Sequence, residues 1–137
     1  MTRAIERAIR RFESRDQLVL THGDPGSGNY LDHPDGGVIL DWETASISPC
    51  GIDAGRAAFI ALLDNAHTGI PEQLHTAVVD GYRDGLTAGC ALDRETLGAA
   101  TVVAGLQFIH GRHVQPLRPE RTERVAIDVL AAYLATG

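Results

Sequence analysis

Three side chains carry the chemistry this sequence can do. Asp24 and Asn29 stand five positions apart in the loop His22-Gly23-Asp24-Pro25-Gly26-Ser27-Gly28-Asn29, and Asp41 closes the apolar run Val38-Ile39-Leu40. Two carboxylates and one amide oxygen brought together make a hard-oxygen site. Such a site suits Mg²⁺, which is held by a few carboxylates together with waters and phosphate oxygens. Phosphoryl transfer calls for this set. Its transition state is loose, so a protein mainly positions the reactants and neutralises charge. One Asp then orients or deprotonates an attacking hydroxyl, while the amide and the other Asp hold the metal on the phosphates.

The flanking elements must bring the three together. Leu18 to Leu20 is a short strand-type run feeding the loop, whose glycines and proline exclude a helix. Asn29 to Leu31 and Val38 to Trp42 read as two strands joined by Asp32-His33-Pro34-Asp35-Gly36-Gly37, which has the chemistry of a turn. A β-hairpin there folds Asp41 back toward Asn29. Ser46 to Gly51, with Pro49, reads as a loop, and Trp42 as core packing beneath Asp41.

The rest is helical. Residues 3–15 repeat Ile5, Ala8, Ile9 and Phe12 on one face, with Thr2 as a cap. Asp53 to Asn65 carries Phe59, Leu62 and Leu63. Pro71 opens a segment with Leu74, Val78 and Tyr82. Asp93 caps a segment with Leu97, Ala100, Ala104 and Phe108, and Pro119 opens a last one with Val125, Val129, Leu130 and Leu134. With strands early and helices late, the expected class is α+β, mostly helical, in a single domain over 1–137.

Composition narrows the partners. The formal net charge of −6 argues against a sequence-independent grip on nucleic acid, which needs a basic stripe. No apolar run is long enough to span a bilayer. Met1 to Arg11 lacks the apolar stretch of a secretory signal, so a cytoplasmic protein is expected. All 12 Lys+Arg positions are arginine, which removes the usual phosphate-gripping lysine. Cys50 and Cys90 lack metal-ligand spacing and read as small buried hydrophobes.

His22-Gly23-Asp24, four residues, then Asn29 resembles the H-G-D-x-x-x-x-N catalytic loop of the aminoglycoside phosphotransferases and related small-molecule kinases. The protein-kinase loop shares its Asp-to-Asn spacing. Ile39-Leu40-Asp41-Trp42-Glu43 resembles that family's I-D-W-E, the counterpart of D-F-G, and Ile52-Asp53-Ala54 its following D-L-A. The resemblance implies the C-terminal lobe of a protein-kinase-like fold, a catalytic-loop hairpin followed by a helical bundle. It implies Mg²⁺-dependent transfer of the ATP γ-phosphate to a hydroxyl of a small molecule, an aminoglycoside or similar. Asp24 would be the catalytic base, and Asn29 and Asp41 would hold Mg²⁺ and, through it, ATP. His22, Asp53 and Glu43 would support the loop.

The resemblance covers only about the second half of a family member; the β-rich first lobe, with its lysine, has no counterpart here. That makes two further readings necessary: an inactive lobe acting as a binding or self-associating module, a homodimer, or half of an enzyme completed by an N-lobe partner. Asp80 and Asp84 share a helix face and are kept as substrate-gripping acids, against the simpler reading of a solvated face. A metallophosphatase reading is weaker, because Asn29 is followed by Tyr30 rather than the histidine such sites need.

Overall fold

The spacing of Ile5, Ala8 and Phe12 winds the first segment into helix α1, Thr2–Glu13, with Phe12 buried and the arginines outward. In the computed structural model, residues 2–14, 17–66, 77, 80–81, 92–114 and 120–136 are described. After α1 come strand β1 (Leu18–Thr21), a 3₁₀ turn (Ser27–Asn29), β2 (Tyr30–Leu31), β3 (Val38–Ile39), a second 3₁₀ turn (Trp42–Thr44) and β4 (Ser46–Pro49). Helices α2 (Ile52–Asn65), α3 (Arg94–Val114) and α4 (Glu120–Thr136) follow. The described residues are thus α-rich, with two small antiparallel sheets, as an α+β chain requires. Of the segment expected after Pro71, Ala77, Asp80 and Gly81 are helical, and Leu74, Val78 and Tyr82 lie outside the described residues.

The strands depart from the sequence reading in two places. Ser46–Pro49 is a strand rather than a loop, paired antiparallel with β1 in the register Leu18↔Pro49 through Thr21↔Ser46. Two serines and a proline give it little strand propensity of its own; the pairing decides. Pro49 lacks an N–H for the ladder and sits at the strand's end, where proline is tolerated. The hairpin strands are also shorter than expected. Tyr30 faces Ile39 and Leu31 faces Val38, but Asp41 takes a left-handed backbone (φ 61°) that ends the extended run.

The helices form the core. Phe12 packs with Ile52, Ala99, Ala100 and Ala104, and Phe59 packs with Val102, Ala126 and Leu130. Gly55 lets α2 approach α3 closely: a Cβ there would lie 2.4 Å from the Ala100 carbonyl carbon. None of the helices is long and apolar enough to cross a membrane, among the described residues.

Asp93 starts α3 as an N-cap, its Oδ1 accepting the Thr96 N–H at 2.6 Å. Arg11 reaches across from α1 to Asp93 (3.1 Å) and Glu95 (2.8 Å). The Thr96 hydrogen bonds first, and Arg11 after them, hold the Asp93 carboxyl below its ordinary 3.8. A carboxylate with a depressed folded pKa stabilises the fold above its unfolded pKa and loses that contribution as pH falls through the folded value. Asp93→Ala is therefore expected to cost about 1 kcal/mol near neutrality. Melts of both proteins across acid pH should show that gap closing below the ordinary carboxylate range.

Cys50 is buried, as expected, but is disulfide-bonded rather than a free thiol; the chain's other cysteine, Cys90, lies outside the described residues.

Candidate active site

β1 ends by delivering Thr21 and His22 into the interior, 2% and 3% exposed. The chain then turns out through Gly23 to Asp24, and the first turn of α2 holds it there. Asp53 Oδ2 accepts the His22 N–H at 2.6 Å and Oδ1 accepts the Gly23 N–H at 3.1 Å. Two backbone donors on one carboxylate make strong, charge-assisted bonds. Thr44 Oγ1 donates to the His22 carbonyl at 3.1 Å. His22 Nδ1 accepts the Asp24 N–H (3.2 Å) and Nε2 lies 2.7 Å from the Leu40 carbonyl. Both contacts suit the neutral imidazole with its proton on Nε2. One buried ring therefore ties the Asp24 loop to the residue preceding Asp41.

Gly23 is required at its place. It has φ +90°, and a Cβ there would meet the Thr44 carbonyl oxygen at 2.4 Å. Gly23→Ala is expected to cost on the order of 2–3 kcal/mol from backbone strain and displacement of Thr44. Urea unfolding of the variant checks this.

Asn29 closes the loop. Its Nδ2 donates to the Asp24 carbonyl at 2.9 Å and to Asp24 Oδ2 at 3.3 Å. Its own carbonyl accepts the Leu40 N–H at 2.7 Å, in continuation of the β2–β3 pairing. Asp24, Asn29 and His22 are thus directly joined, and Asp41 follows the residue that both Asn29 and His22 grip. Asp41 precedes the Trp42–Thr44 turn without capping it through its side chain. Among the described residues no hydrogen bond occupies the Asn29 amide oxygen or the Asp41 carboxylate.

The other expected site residues are placed differently. Glu43 is exposed on the 3₁₀ turn, and no described hydrogen bond or ion pair joins it to the loop. Trp42 is 48% exposed rather than packed in the core: its Nε1 donates to the Ile39 carbonyl and its ring meets His22 edge-on at 4.7 Å. The short 3₁₀ turn carries it along the hairpin's outside instead of beneath Asp41. Asp80 is exposed and absent from the cavity beside Asp24, and Asp84 lies outside the described residues.

That cavity, of about 190 Å³, opens between the loop, α2 and α3, with Asp24, Arg56, Phe59, Ile60, Gln107 and Phe108 in its walls. A larger hollow runs along Arg3, Arg7 and Arg10 of α1 and touches none of the loop residues. Of the two, the smaller cavity is the one that Asp24 borders. Thr44, which holds the His22 carbonyl, and Arg56 and Gln107, which line the cavity, were not singled out from the sequence. Arg56 lies one helical turn after Asp53, a spacing that could have flagged it. Gln107 is a polar residue on an otherwise apolar stretch of α3; nothing in the sequence marks Thr44.

No curated protein and no solved structure matches the chain. A model of the phosphotransferase enzyme family does match, over residues 2–95, a span that holds the loop, both sheets and α2. The chain therefore belongs to the aminoglycoside-phosphotransferase-type family of phosphotransferases.

Proposed function

We propose that this chain is the catalytic-loop lobe of a small-molecule kinase, one domain over 1–137, that moves the γ-phosphate of ATP to an alcohol. The observation that carries the reading is the Asn29 carboxamide. Its amide N–H groups are spent on Asp24, no hydrogen bond among the described residues uses its amide oxygen or the Asp41 carboxylate, and Asp41 follows Leu40, whose N–H the Asn29 carbonyl accepts at 2.7 Å. The left-handed backbone at Asp41 supports it, since sparsely populated conformations of this kind gather at functional sites.

The donor set fits Mg²⁺. No group of three His, Cys, Asp or Glu poised for a metal occurs among the described residues. Mg²⁺ does not demand one: an amide oxygen and a carboxylate suffice when waters and phosphate oxygens complete the shell. When bound, Mg²⁺ would neutralise phosphate charge. Asn29 and Asp41 would hold it, and through it the nucleotide. Asp24 would accept a hydrogen bond from the acceptor hydroxyl and take its proton as the oxygen attacks the γ-phosphorus. The bond to the bridging oxygen breaks, and ADP and a phosphomonoester leave. His22 and Asp53 would fix the loop, and Glu43 would act only through waters. The acceptor class is a small-molecule alcohol; aminoglycosides and similar antibiotics are the acceptors that the family suggests. Such an enzyme belongs where ATP is held, in the cytoplasm.

Phosphorus NMR of the protein incubated with Mg²⁺, ATP and a panel of small alcohols tests this. A phosphomonoester signal rising with ADP is expected; ADP with inorganic phosphate alone, or no ADP, would refute transfer.

A specific observation favours a second reading. Leu18, Leu20 and Ile47 project from one face of the β1–β4 pair and are 60%, 65% and 65% exposed. An apolar sheet face of this kind asks for a cover, either a second copy or a partner lobe. In that reading the lobe self-associates or completes its site with another chain. Light scattering checks it: a dimer broken by Leu20→Lys is expected, and a monomer at high concentration counts against self-association.

A further inference from the structure

The wall of the cavity opposite the chemistry of Asp24 carries a positive charge that the fold does not fully use. Arg56 Nη2 donates to Gln107 Oε1 at 3.1 Å. Its Nη1 lies 3.8 Å from Asp53 Oδ1, an ion pair too long for a hydrogen bond. Nη1 is buried without a hydrogen-bond partner among the described residues. Asp53 is poorly able to do more, since both of its oxygens already serve the backbone of His22 and Gly23. The guanidinium is therefore met by one shared carboxylate and one neutral amide. Beside it stand the half-buried Ile60 and Phe108, which offer an apolar surface, with the buried Phe59 behind them. The cavity holds about 190 Å³, room for roughly a dozen non-hydrogen atoms.

We infer that this cavity is the acceptor pocket and that Arg56, set by Gln107, selects a small hydroxy-carboxylate with an apolar body. The inference rests on the reading of Asp24 as the residue that receives the acceptor hydroxyl. The carboxylate is recognised by the Arg56 guanidinium and the Gln107 amide, the apolar part lies on Ile60 and Phe108, and the hydroxyl is left for Asp24. A cationic amino alcohol of the same size meets the guanidinium as a like charge, so the pocket discriminates by sign as well as by size.

Calorimetric titration of the full chain without nucleotide tests this. The probes are 3-hydroxy-3-phenylpropanoate and its amine counterpart 3-amino-1-phenylpropan-1-ol. The carboxylate is expected to bind at least about tenfold more tightly than the amine, the ratio one charge-assisted hydrogen bond supplies. Arg56→Gln should erase the preference. Because Arg56 also touches Asp53, that variant's stability is a concern, and Gln107→Glu is the safer partner test. Gln107 is exposed, and the change is isosteric and gives Arg56 a carboxylate of its own. It should weaken the hydroxy-carboxylate and strengthen the amine. Equal binding of the two probes, tighter binding of the amine, no binding of the carboxylate, or a Gln107→Glu variant with unchanged preference would overturn the inference. Asp24→Asn separates the two layers. Carboxylate binding retained with transfer lost supports both, and transfer retained in that variant removes the Asp24 reading, on which this assignment of the pocket depends. Carboxylate discrimination absent while Asp24-dependent transfer persists removes the pocket assignment alone.

Discussion

Asp24→Asn is expected to reduce phosphoryl transfer by about 10²–10⁴-fold, the contribution of a positioned general base, while leaving the fold in place. Asp24 is exposed at the tip of its loop. The stronger of its two contacts with Asn29 is made by its backbone carbonyl at 2.9 Å, which the substitution keeps. Stability should therefore change by no more than about 0.5 kcal/mol, as at other surface positions. Initial rates and thermal melts of the two proteins, measured side by side, give both numbers. A variant that transfers phosphate at the wild-type rate would remove Asp24 from the chemistry. One that unfolds would make it a structural residue.

The second large effect falls on a residue that touches no reactant. Asp53 is only 14% exposed at its side chain and satisfies the backbone N–H groups of both His22 and Gly23. Asp53→Ala removes two charge-assisted hydrogen bonds and leaves the Arg56 guanidinium without an anion. Each such bond contributes about 1.5–3 kcal/mol, so a loss on the order of 3–5 kcal/mol is expected. Activity should fall with it, because the same two donors aim the loop that carries Asp24. Chemical denaturation separates this from a catalytic role. A variant of wild-type stability would show that the loop is held in some other way.

Much of this arrangement was legible in the residues. The helix-forming periodicity of Ile5, Ala8 and Phe12, the cap at Asp93 and the turn chemistry before Val38 are local signals, and α1, α3 and the hairpin formed where those signals lie. The juxtaposition of Asn29 with Leu40 follows from hairpin geometry alone, and Asp41 comes with it. What local signals do not carry is pairing at a distance. Ser46–Pro49 is a strand only because β1 lies alongside it. Trp42 looks like a core residue by type, yet a 3₁₀ turn too short to bury it leaves it outside. Arg56 and Gln107 are separated by 51 positions and meet only because α2 packs on α3 through Gly55 and Ala100. The side chains that meet at the cavity were therefore hidden, whereas the geometry of the loop and hairpin was not.

In the proposed function Asn29 and Asp41 hold a metal-bound nucleotide. Calorimetric titration with ATP, with and without Mg²⁺, of the wild-type chain and Asp41→Ala tests it directly. Binding by the wild type is expected to require Mg²⁺ and to be lost in a variant that remains folded. Binding indifferent to Mg²⁺, binding unchanged in Asp41→Ala, or none at millimolar nucleotide would contradict it.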